Sequence, residues 1–294
     1  MYNLYRAQMQ QDYNAAKDYF ISNPDTLIQL EEYLTSLVID IITNNKDELQ
    51  FDYNEASYLN PFWQNYPPEE RGRAPVGDQI PWIEVGEHAI GHQLSRLLSR
   101  AYDISEVGLP SGADNRFIIK SDTIRSITHY TDSAMVYLDI KSVGPRDDAE
   151  NTVLSPYQVS GDGIWDDLNS GVHNSEMTAQ GARASHPFFP AVPPIYALSD
   201  RTIAPVVHIF VKPVYKMLSL SNPGHLGQPL DRIRIITLPN GLLLTINPNY
   251  AGMHRGLIFP GKDDKSKAPS KVRCRISFPI LSQINDWRVS EITF

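Results

Sequence analysis

The stretch that decides the fold reads AMVYLDIKSV and occupies residues 134–143. Branched and aromatic side chains, with no glycine or proline before Gly144, predict a β-strand. Side chains of a strand alternate between its two faces, so one face carries Asp139 and Lys141. The other face is apolar and carries Val136, Leu138 and Ile140. The strand is therefore predicted to lie in a core and to present an acid and an amine together.

The segments around this strand predict an α/β protein in which helices come first and strands follow. Apolar residues recur at helical spacing over residues 24–44 and 84–102. Residues 60–82 are rich in proline and aromatic side chains and predict an irregular connection. Further strands are predicted at 116–120, 204–215, 232–238, 242–246 and 272–280, with 232–238 and 242–246 joined as a hairpin across Pro239-Asn240-Gly241.

No linker, repeat or low-complexity run divides the 294 residues. We therefore expect one α/β domain over 1–294, with a mixed or largely antiparallel sheet flanked by helices. Hydrophobic residues at 41% and charged residues at 20% exclude disorder and coiled coil as the main architecture. One cysteine, no export leader and no apolar run of about 20 residues predict a non-membrane protein of a reducing compartment.

The net charge of −8 argues against a polyanionic partner, but the charge is unevenly distributed. Residues 1–60 have a balance of −7, whereas residues 255–275 hold seven bases and two acids. Two interpretations of this basic segment stay open. It is either a solvated loop that balances an acidic chain or a binding surface for phosphates.

Asp139 and Lys141 are typical of a site in which a carboxylate holds a divalent metal and an ammonium positions a water or a phosphate oxygen. Such a site requires a second carboxylate from a separate segment. Asp114 precedes the predicted strand 116–120, which would bring it beside Asp139, and Glu87 on the second helix would add a third acid. The simpler interpretation of each is an exposed turn aspartate or helix glutamate.

A zinc site is the rival hypothesis, because Glu84, His88 and His92 share one helix face. Zinc hydrolases of this type place glutamate between the histidines, where this chain has Ala89, so an exposed helix face is the simpler interpretation. His208 is interpreted as a hydrogen-bonded core histidine. Serine nucleophile elbows, Walker loops and GxGxxG turns are absent from the sequence.

Longer strings carry a resemblance to a known family. The chain resembles type II restriction endonucleases of the PD-(D/E)xK superfamily along nearly its whole length and in the same order. The matching strings are DYNEASYLNPFWQNYPP (52–68), GDQIPWIEVGE (77–87), TDSAMVYLDIKSVGPRD (131–147), LSPYQVSGDG (154–163), IAPVVHIFVKPVY (203–215), LPNGL (238–242) and PGKDDKSK (260–267).

The resemblance implies a Mg²⁺-dependent, homodimeric nuclease that cuts double-stranded DNA in the bacterial cytoplasm. It implies a restriction-endonuclease-like core at about 80–215, with Asp114, Asp139 and Lys141 as the catalytic set and Glu87 as an ancillary acid. Ile140 would join Asp114 and Asp139 at the metal. This sequence has Ala113 where the family has proline, which removes the fixed φ of proline but keeps the carboxylate.

The resemblance also assigns DNA recognition to a segment at about 255–280. The implied base-reading residues are Lys262, Asp264, Arg273 and Arg275, with Asp147 as a further member. Arginine and lysine read guanine and aspartate reads cytosine, which suits a G·C half-site such as that of GCCNNNNNGGC, cut to leave 3′ extensions. A cognate methyltransferase would act on the same site without binding this chain stably. A catalytically inactive DNA-binding protein on the same scaffold is the alternative.

Overall fold

The structure is a computed structural model of the chain. It describes residues 2–57, 80–108, 112–144, 150–167, 171–182, 184–216, 218, 228–247, 250, 255–261 and 267–294. Most of the connection predicted at 60–82 lies outside this described part, and residues 80–82 already belong to a helix.

Helices dominate the first hundred residues. Their bounds are α1 Tyr2–Ser22, α2 Pro24–Asn44, α3 Lys46–Ser57 and α4 Ile80–Ala101, followed later by the short helices α5 Asp122–Thr128, α6 Gly241–Thr245 and α7 Phe278–Ile284. The predicted helix 24–44 coincides with α2, whose apolar stripe is buried and whose first turn contains proline. Helices α1 and α3 are not anticipated by the sequence pattern. Among the described residues, no helix has the length and apolar composition needed to cross a bilayer.

The strands follow and form one large and three small sheets. Their bounds are β1 Asp103–Glu106, β2 Asn115–Lys120, β3 Ser133–Ile140, β4 Asn151–Leu154, β5 Ile164–Asp166, β6 Gly171–His173, β7 Met177–Gln180, β8 Ser185–Phe188, β9 Ile195–Ala197, β10 Ile203–Tyr215, β11 Leu230–Leu238, β12 Ile258–Pro260, β13 Cys274–Ser277 and β14 Val289–Thr293.

The large sheet has the order β1-β2-β3-β10-β11-β14, and β9 also pairs with β10. Strands β3 and β10 pair in parallel, while β2 with β3 and β10 with β11 pair antiparallel. The expectation of an α/β protein with a mixed sheet is therefore confirmed. Every residue of β3 and β10 is buried, because both faces of these central strands are covered.

The two faces of the large sheet have different cover. One face packs its alternate residues, such as Leu138 and Ile209, against α2, α3 and α4 in the largest apolar cluster. The other face carries Asp139, Lys212 and His208 and is covered in part by the small sheet β12-β13-β4. The buried acid, lysine and histidine of the two central strands thus lie on the side away from the helices.

The predicted hairpin of 232–238 with 242–246 is wrong. Residues 242–246 belong to α6 and its C-terminal end, and β11 pairs instead with β10 and β14. The Asn240 side chain caps the helix by accepting from the Leu242 backbone N–H at 2.9 Å. A Cβ at Gly241 would lie 2.0 Å from the Gly161 carbonyl oxygen, so this position has no room for a side chain.

The predicted strand 272–280 is correct only in its middle, because β13 ends at Ser277. Helix α7 begins at Phe278, and its first turn contains Pro279, whose ring favours a helix start and prevents further ladder pairing.

Candidate active site

The antiparallel pair β2 and β3 brings two acids together at one end of the large sheet. The last paired residues are Asn115 and Leu138, so the next positions outward are Asp114 and Asp139. The Ile140 backbone N–H donates to Asp114 Oδ2 at 2.6 Å. The predicted meeting of Asp114 and Asp139 therefore follows from strand register.

Asp139 is the buried member of this pair, with 2% of its surface exposed. Gln158 Nε2 donates to Asp139 Oδ1 at 2.6 Å, and Lys141 Nζ lies 2.7 Å from Asp139 Oδ2. Burial raises the pKa of Asp139 to about 6, Lys141 opposes this rise and Asp114 adds to it. The carboxylate is thus held between an amide and an ammonium, close to a second acid.

Asp114 is exposed, and the residue before it is anchored in the core. Ala113 is 7% exposed and belongs to the apolar cluster that contains Ile118 and Tyr137. Packing of Ala113 supplies an anchor at the position where the resemblance implies proline. The Asp114 carboxylate lies opposite β3, where it accepts from the Ile140 backbone N–H.

Helix α4 approaches the end of β3 closely. A Cβ on Gly86 would meet Ser142 Oγ at 2.1 Å, and one on Gly91 would meet Ile140 Cγ1 at 3.0 Å. Glycine at these positions lets the helix backbone come near the residues that flank Lys141. Glu87 follows Gly86 and is half-buried.

The described residues contain no group of three or more His, Cys, Asp or Glu side chains that would hold a metal ion. Glu87 therefore does not complete a three-acid cluster with the strand acids, and its ancillary role stays a prediction. The zinc hypothesis likewise receives no support from the described residues, because a zinc site would need such a group. His88 and His92 are exposed on α4, and the described part of the chain offers them no third ligand.

Sequence reasoning missed Gln158, which contacts Asp139 directly. It ends the 3₁₀ turn Pro156–Gln158, and its Oε1 accepts from the Ser155 backbone N–H at 2.9 Å. The string Ser155-Pro156-Tyr157-Gln158 carries the S-x-x-Q signature of a helical turn start. This signature predicts the turn, but it does not indicate what the free side of the amide contacts.

The implied base-reading residues are described in part. Strand β13 pairs with β12 and β4, and Arg275 lies opposite Phe259 and Val153. Arg273 is exposed and Arg275 half-exposed, on the side away from the buried Cys274. Lys262, Asp264 and Asp147 lie outside the described residues.

His208 and Lys212 are buried polar residues on the sheet face that also carries Asp139. His208 is in the core as predicted, but its Nε2 has no hydrogen-bond partner within the described residues, so the expected hydrogen bonding is not met at that atom. Lys212 is 2% exposed, and its Nζ lies 3.4 Å from the Asn151 carbonyl oxygen and 5.3 Å from the ring centre of Phe278.

Comparison with known proteins identifies relatives along the full length. The family described as restriction endonuclease BglI matches residues 8–292. The type II restriction enzyme BglI of Bacillus subtilis is 49% identical over 289 residues, which cover 97% of this chain and 96% of the relative.

Two solved structures are also similar. The crystal structure of the restriction endonuclease BglI bound to its DNA recognition sequence superposes with a TM-score of 0.90 at 48% identity, covering 100% of this chain and 99% of that one. The structure of the tetrameric restriction endonuclease SfiI bound to cognate DNA has a TM-score of 0.58 at 14% identity. It covers 92% of this chain and 85% of that one, and at this identity it is evidence for the fold alone.

Proposed function

The chain belongs to the restriction endonuclease BglI family, and on that premise we propose that it is a Mg²⁺-dependent type II endonuclease that cleaves double-stranded DNA at an interrupted palindrome. The observation that carries the proposal is the meeting of Asp114, Asp139 and Lys141 at one end of the sheet. These are the two acids and the lysine that the resemblance implies for metal-dependent phosphodiester hydrolysis.

A divalent metal is the cofactor that the family implies, and the oxygen donors of this site fit Mg²⁺. The exposed Asp114 carboxylate and the buried Asp139 carboxylate lie on adjacent strands, and Mg²⁺ needs few protein ligands. We propose that these two residues and Ile140 hold the ion, with Glu87 nearby on α4 as an ancillary acid. When bound, the ion acidifies a water and neutralises charge on the phosphate.

Lys141 then acts on the reacting groups. Its ammonium contacts Asp139 at 2.7 Å, and its side chain is 26% exposed, so we infer that it reaches from the buried acid toward the substrate. There it orients the attacking water and stabilises the charge that develops on the phosphoryl oxygens. Water adds to phosphorus, the bond to the 3′ oxygen breaks, and the products are a 5′-phosphate and a 3′-hydroxyl.

DNA recognition is proposed for the segment at about 255–280. Arg273 precedes β13 and Arg275 lies on it, both on the side away from the buried Cys274, where their guanidinium groups would read guanine in the major groove. Lys262, Asp264 and Asp147 are proposed to complete the set. A homodimer with two such surfaces would read two G·C half-sites, as in GCCNNNNNGGC, and would cut in the spacer to leave 3′ overhangs.

The proposal extends to the cellular setting and the domain organisation. The enzyme is proposed to work in the bacterial cytoplasm, beside a methyltransferase that protects the same site and does not bind this chain stably. One domain over 1–294 would contain the catalytic core at about 80–215 and the recognition segment.

The test is cleavage of plasmid DNA by wild type and Asp139→Ala, each with Mg²⁺ and with EDTA, followed by sequencing of the fragment ends. Wild type should give discrete, Mg²⁺-dependent fragments that end inside GCCNNNNNGGC. Asp139→Ala should lose cleavage by at least about a thousandfold and keep specific DNA binding, because removal of one carboxylate disables the chemistry alone.

Asp103→Ala is the matched control, since Asp103 is an exposed acid on β1, and it should cut normally. Cleavage by Asp139→Ala at a normal rate would refute the assignment of the site. Sequence-specific binding without cleavage by wild type would establish the inactive DNA-binding alternative instead.

A further inference from the structure

The side-chain amide of Gln158 joins the two segments that form the candidate active site. It is 4% exposed. Its Nε2 donates to Asp139 Oδ1 at 2.6 Å and to the Gly112 carbonyl oxygen at 3.0 Å. A glutamine amide has two N–H donors, so both are used and their directions are set by the site.

The second contact reaches the turn that carries Asp114. Gly112 stands two residues before Asp114, and its backbone N–H also donates to the Tyr157 carbonyl oxygen at 3.0 Å. The turn that ends at Gln158 and the turn that ends at Asp114 are therefore bonded twice. A displacement of Gln158 would move both acids of the site relative to each other.

The first contact fixes the rotation of the Asp139 carboxylate. Gln158 holds Oδ1, and Lys141 lies 2.7 Å from Oδ2, so the two oxygens have different neighbours on opposite sides. A ligand that is oriented before the ion arrives loses less conformational freedom on binding. Residues that orient metal ligands in this way typically change metal affinity 10- to 100-fold when they are mutated.

The turn that ends at Gln158 is held in place by strand pairing and backbone hydrogen bonds. It continues β4, which pairs with β13 over four residues. The Pro156 carbonyl oxygen accepts from the Ala191 backbone N–H at 2.8 Å. Gln158 Oε1 closes the turn on the Ser155 backbone N–H at 2.9 Å. The amide is thus held by the fold at both of its ends and does not depend on the acids for its position.

We propose that Gln158 is a positioning residue that orients Asp139 and the Asp114 turn for binding of a divalent cation. The inference rests on the proposed function for its metal. It assigns Gln158 a task that acts through Asp139 and the Asp114 turn.

The experiment compares wild type with Gln158→Met, which keeps the length of the side chain and removes both donors. Single-turnover cleavage is measured against Mg²⁺ concentration, and binding of Mn²⁺ is measured by electron paramagnetic resonance, with Asp139→Ala as the baseline. We expect the half-saturating Mg²⁺ concentration and the Mn²⁺ dissociation constant to rise 10- to 100-fold. The rate at saturating Mg²⁺ should stay within about threefold of wild type.

Gln180→Met is the matched control, because Gln180 is exposed on β7, and it should behave as wild type. Gln158→Asn is the second variant, which keeps an amide but withdraws it by one methylene. It should raise the half-saturating Mg²⁺ concentration and the Mn²⁺ dissociation constant by a smaller factor. It also provides the measurement if Gln158→Met does not fold.

An unchanged half-saturating Mg²⁺ concentration and an unchanged Mn²⁺ dissociation constant in a folded Gln158 variant would overturn the inference. A loss of cleavage rate that saturating Mg²⁺ does not restore would overturn it as well. The two proposals fail separately. If wild type does not cut DNA, the proposed function fails, and the Mn²⁺ titration still reports on Gln158. If wild type cuts and the variants bind metal normally, only the role of Gln158 fails.

Discussion

His208 is a single ionisable residue whose behaviour is decided by burial. It lies on β10 opposite Tyr137 of β3, on the sheet face that also carries Asp139, and the two rings are 5.0 Å apart. It is 2% exposed. Burial lowers the pKa of His208 to about 3, so the imidazole is neutral at neutral pH.

We expect His208 to make the folded state less stable in mild acid. In the unfolded chain a histidine takes up a proton near pH 6.5, whereas His208 in the folded chain does so only near pH 3. Between these values the unfolded state binds more protons, so the free energy of unfolding falls as the pH falls. The loss from pH 7.5 to pH 5 is roughly 2 kcal/mol.

Urea denaturation of wild type and His208→Gln at pH 7.5 and pH 5 measures this contribution. Asp139 acts in the opposite direction, because its raised pKa of about 6 lets the folded state bind an extra proton over much of this range. That effect is common to both proteins and cancels in their difference. The stability advantage of wild type should shrink by roughly 2 kcal/mol at pH 5, and a constant advantage would contradict a depressed pKa.

Residues 272–276 show how one extended segment separates buried from exposed side chains. Val272, Cys274 and Ile276 are buried in the apolar cluster beneath the small sheet. Arg273, just before β13, and Arg275, on it, are directed outward by the two-residue period of an extended chain. The segment therefore stabilises the small sheet with one set of side chains and offers two guanidinium groups on the opposite side.

Arg275→Ala should weaken the complex with a duplex that contains the recognition site by about 1–3 kcal/mol. Arg275 is proposed to contact a base, so the affinity for a duplex without the site should change much less. Fluorescence anisotropy with both duplexes in EDTA measures the two affinities. Lys271→Ala is the control, because an exposed lysine of the same basic segment should affect both duplexes alike. Equal loss of both affinities in Arg275→Ala would show a phosphate contact instead.

At the scale of the whole molecule, a buried ion pair joins the N-terminal helices to the C-terminal segment. Arg288 Nη2 lies 2.7 Å from Glu31 Oε2, and both side chains are fully buried. Glu31 Oε1 accepts from the Asn240 backbone N–H at 2.5 Å, and Arg288 Nη2 donates to the Tyr250 hydroxyl at 3.0 Å. Burial raises the pKa of Glu31 against the opposing effect of Arg288.

Arg288→Met should lower the free energy of unfolding by about 3–5 kcal/mol, because it leaves the Glu31 carboxylate buried without its counter-ion. Glu31→Gln combined with Arg288→Met removes both charges and should recover part of the loss. Arg234→Met is the control, since its ion pair with Glu291 is partly exposed and should contribute at most about 1 kcal/mol. Equilibrium denaturation with guanidinium chloride compares the four proteins. Equal losses for Arg288→Met and Arg234→Met would contradict the role of the buried pair.

The sequence by itself determined the features that depend on near neighbours. The alternation in residues 134–143 predicts β3 and the shared face of Asp139 and Lys141, since residues two apart on a strand point the same way. The apolar repeat in 24–44 likewise predicts α2, and the long matching strings predict the family. The predictions of β3 and α2 need only the periods of the strand and the helix, and the prediction of the family needs only the order of residues within the strings.

Only the tertiary structure decided what depends on distant segments. Residues 242–246 are apolar enough for a strand, but the cap from Asn240 and the contact of Gly241 with Gly161 make them a helix. The local sequence identifies Gln158 only as a turn residue, whereas the tertiary structure places its amide against Asp139. The physical reason is that the local sequence pattern reflects the preference of a segment for helix, strand or turn. Contacts between segments far apart in the chain depend instead on packing and strand register.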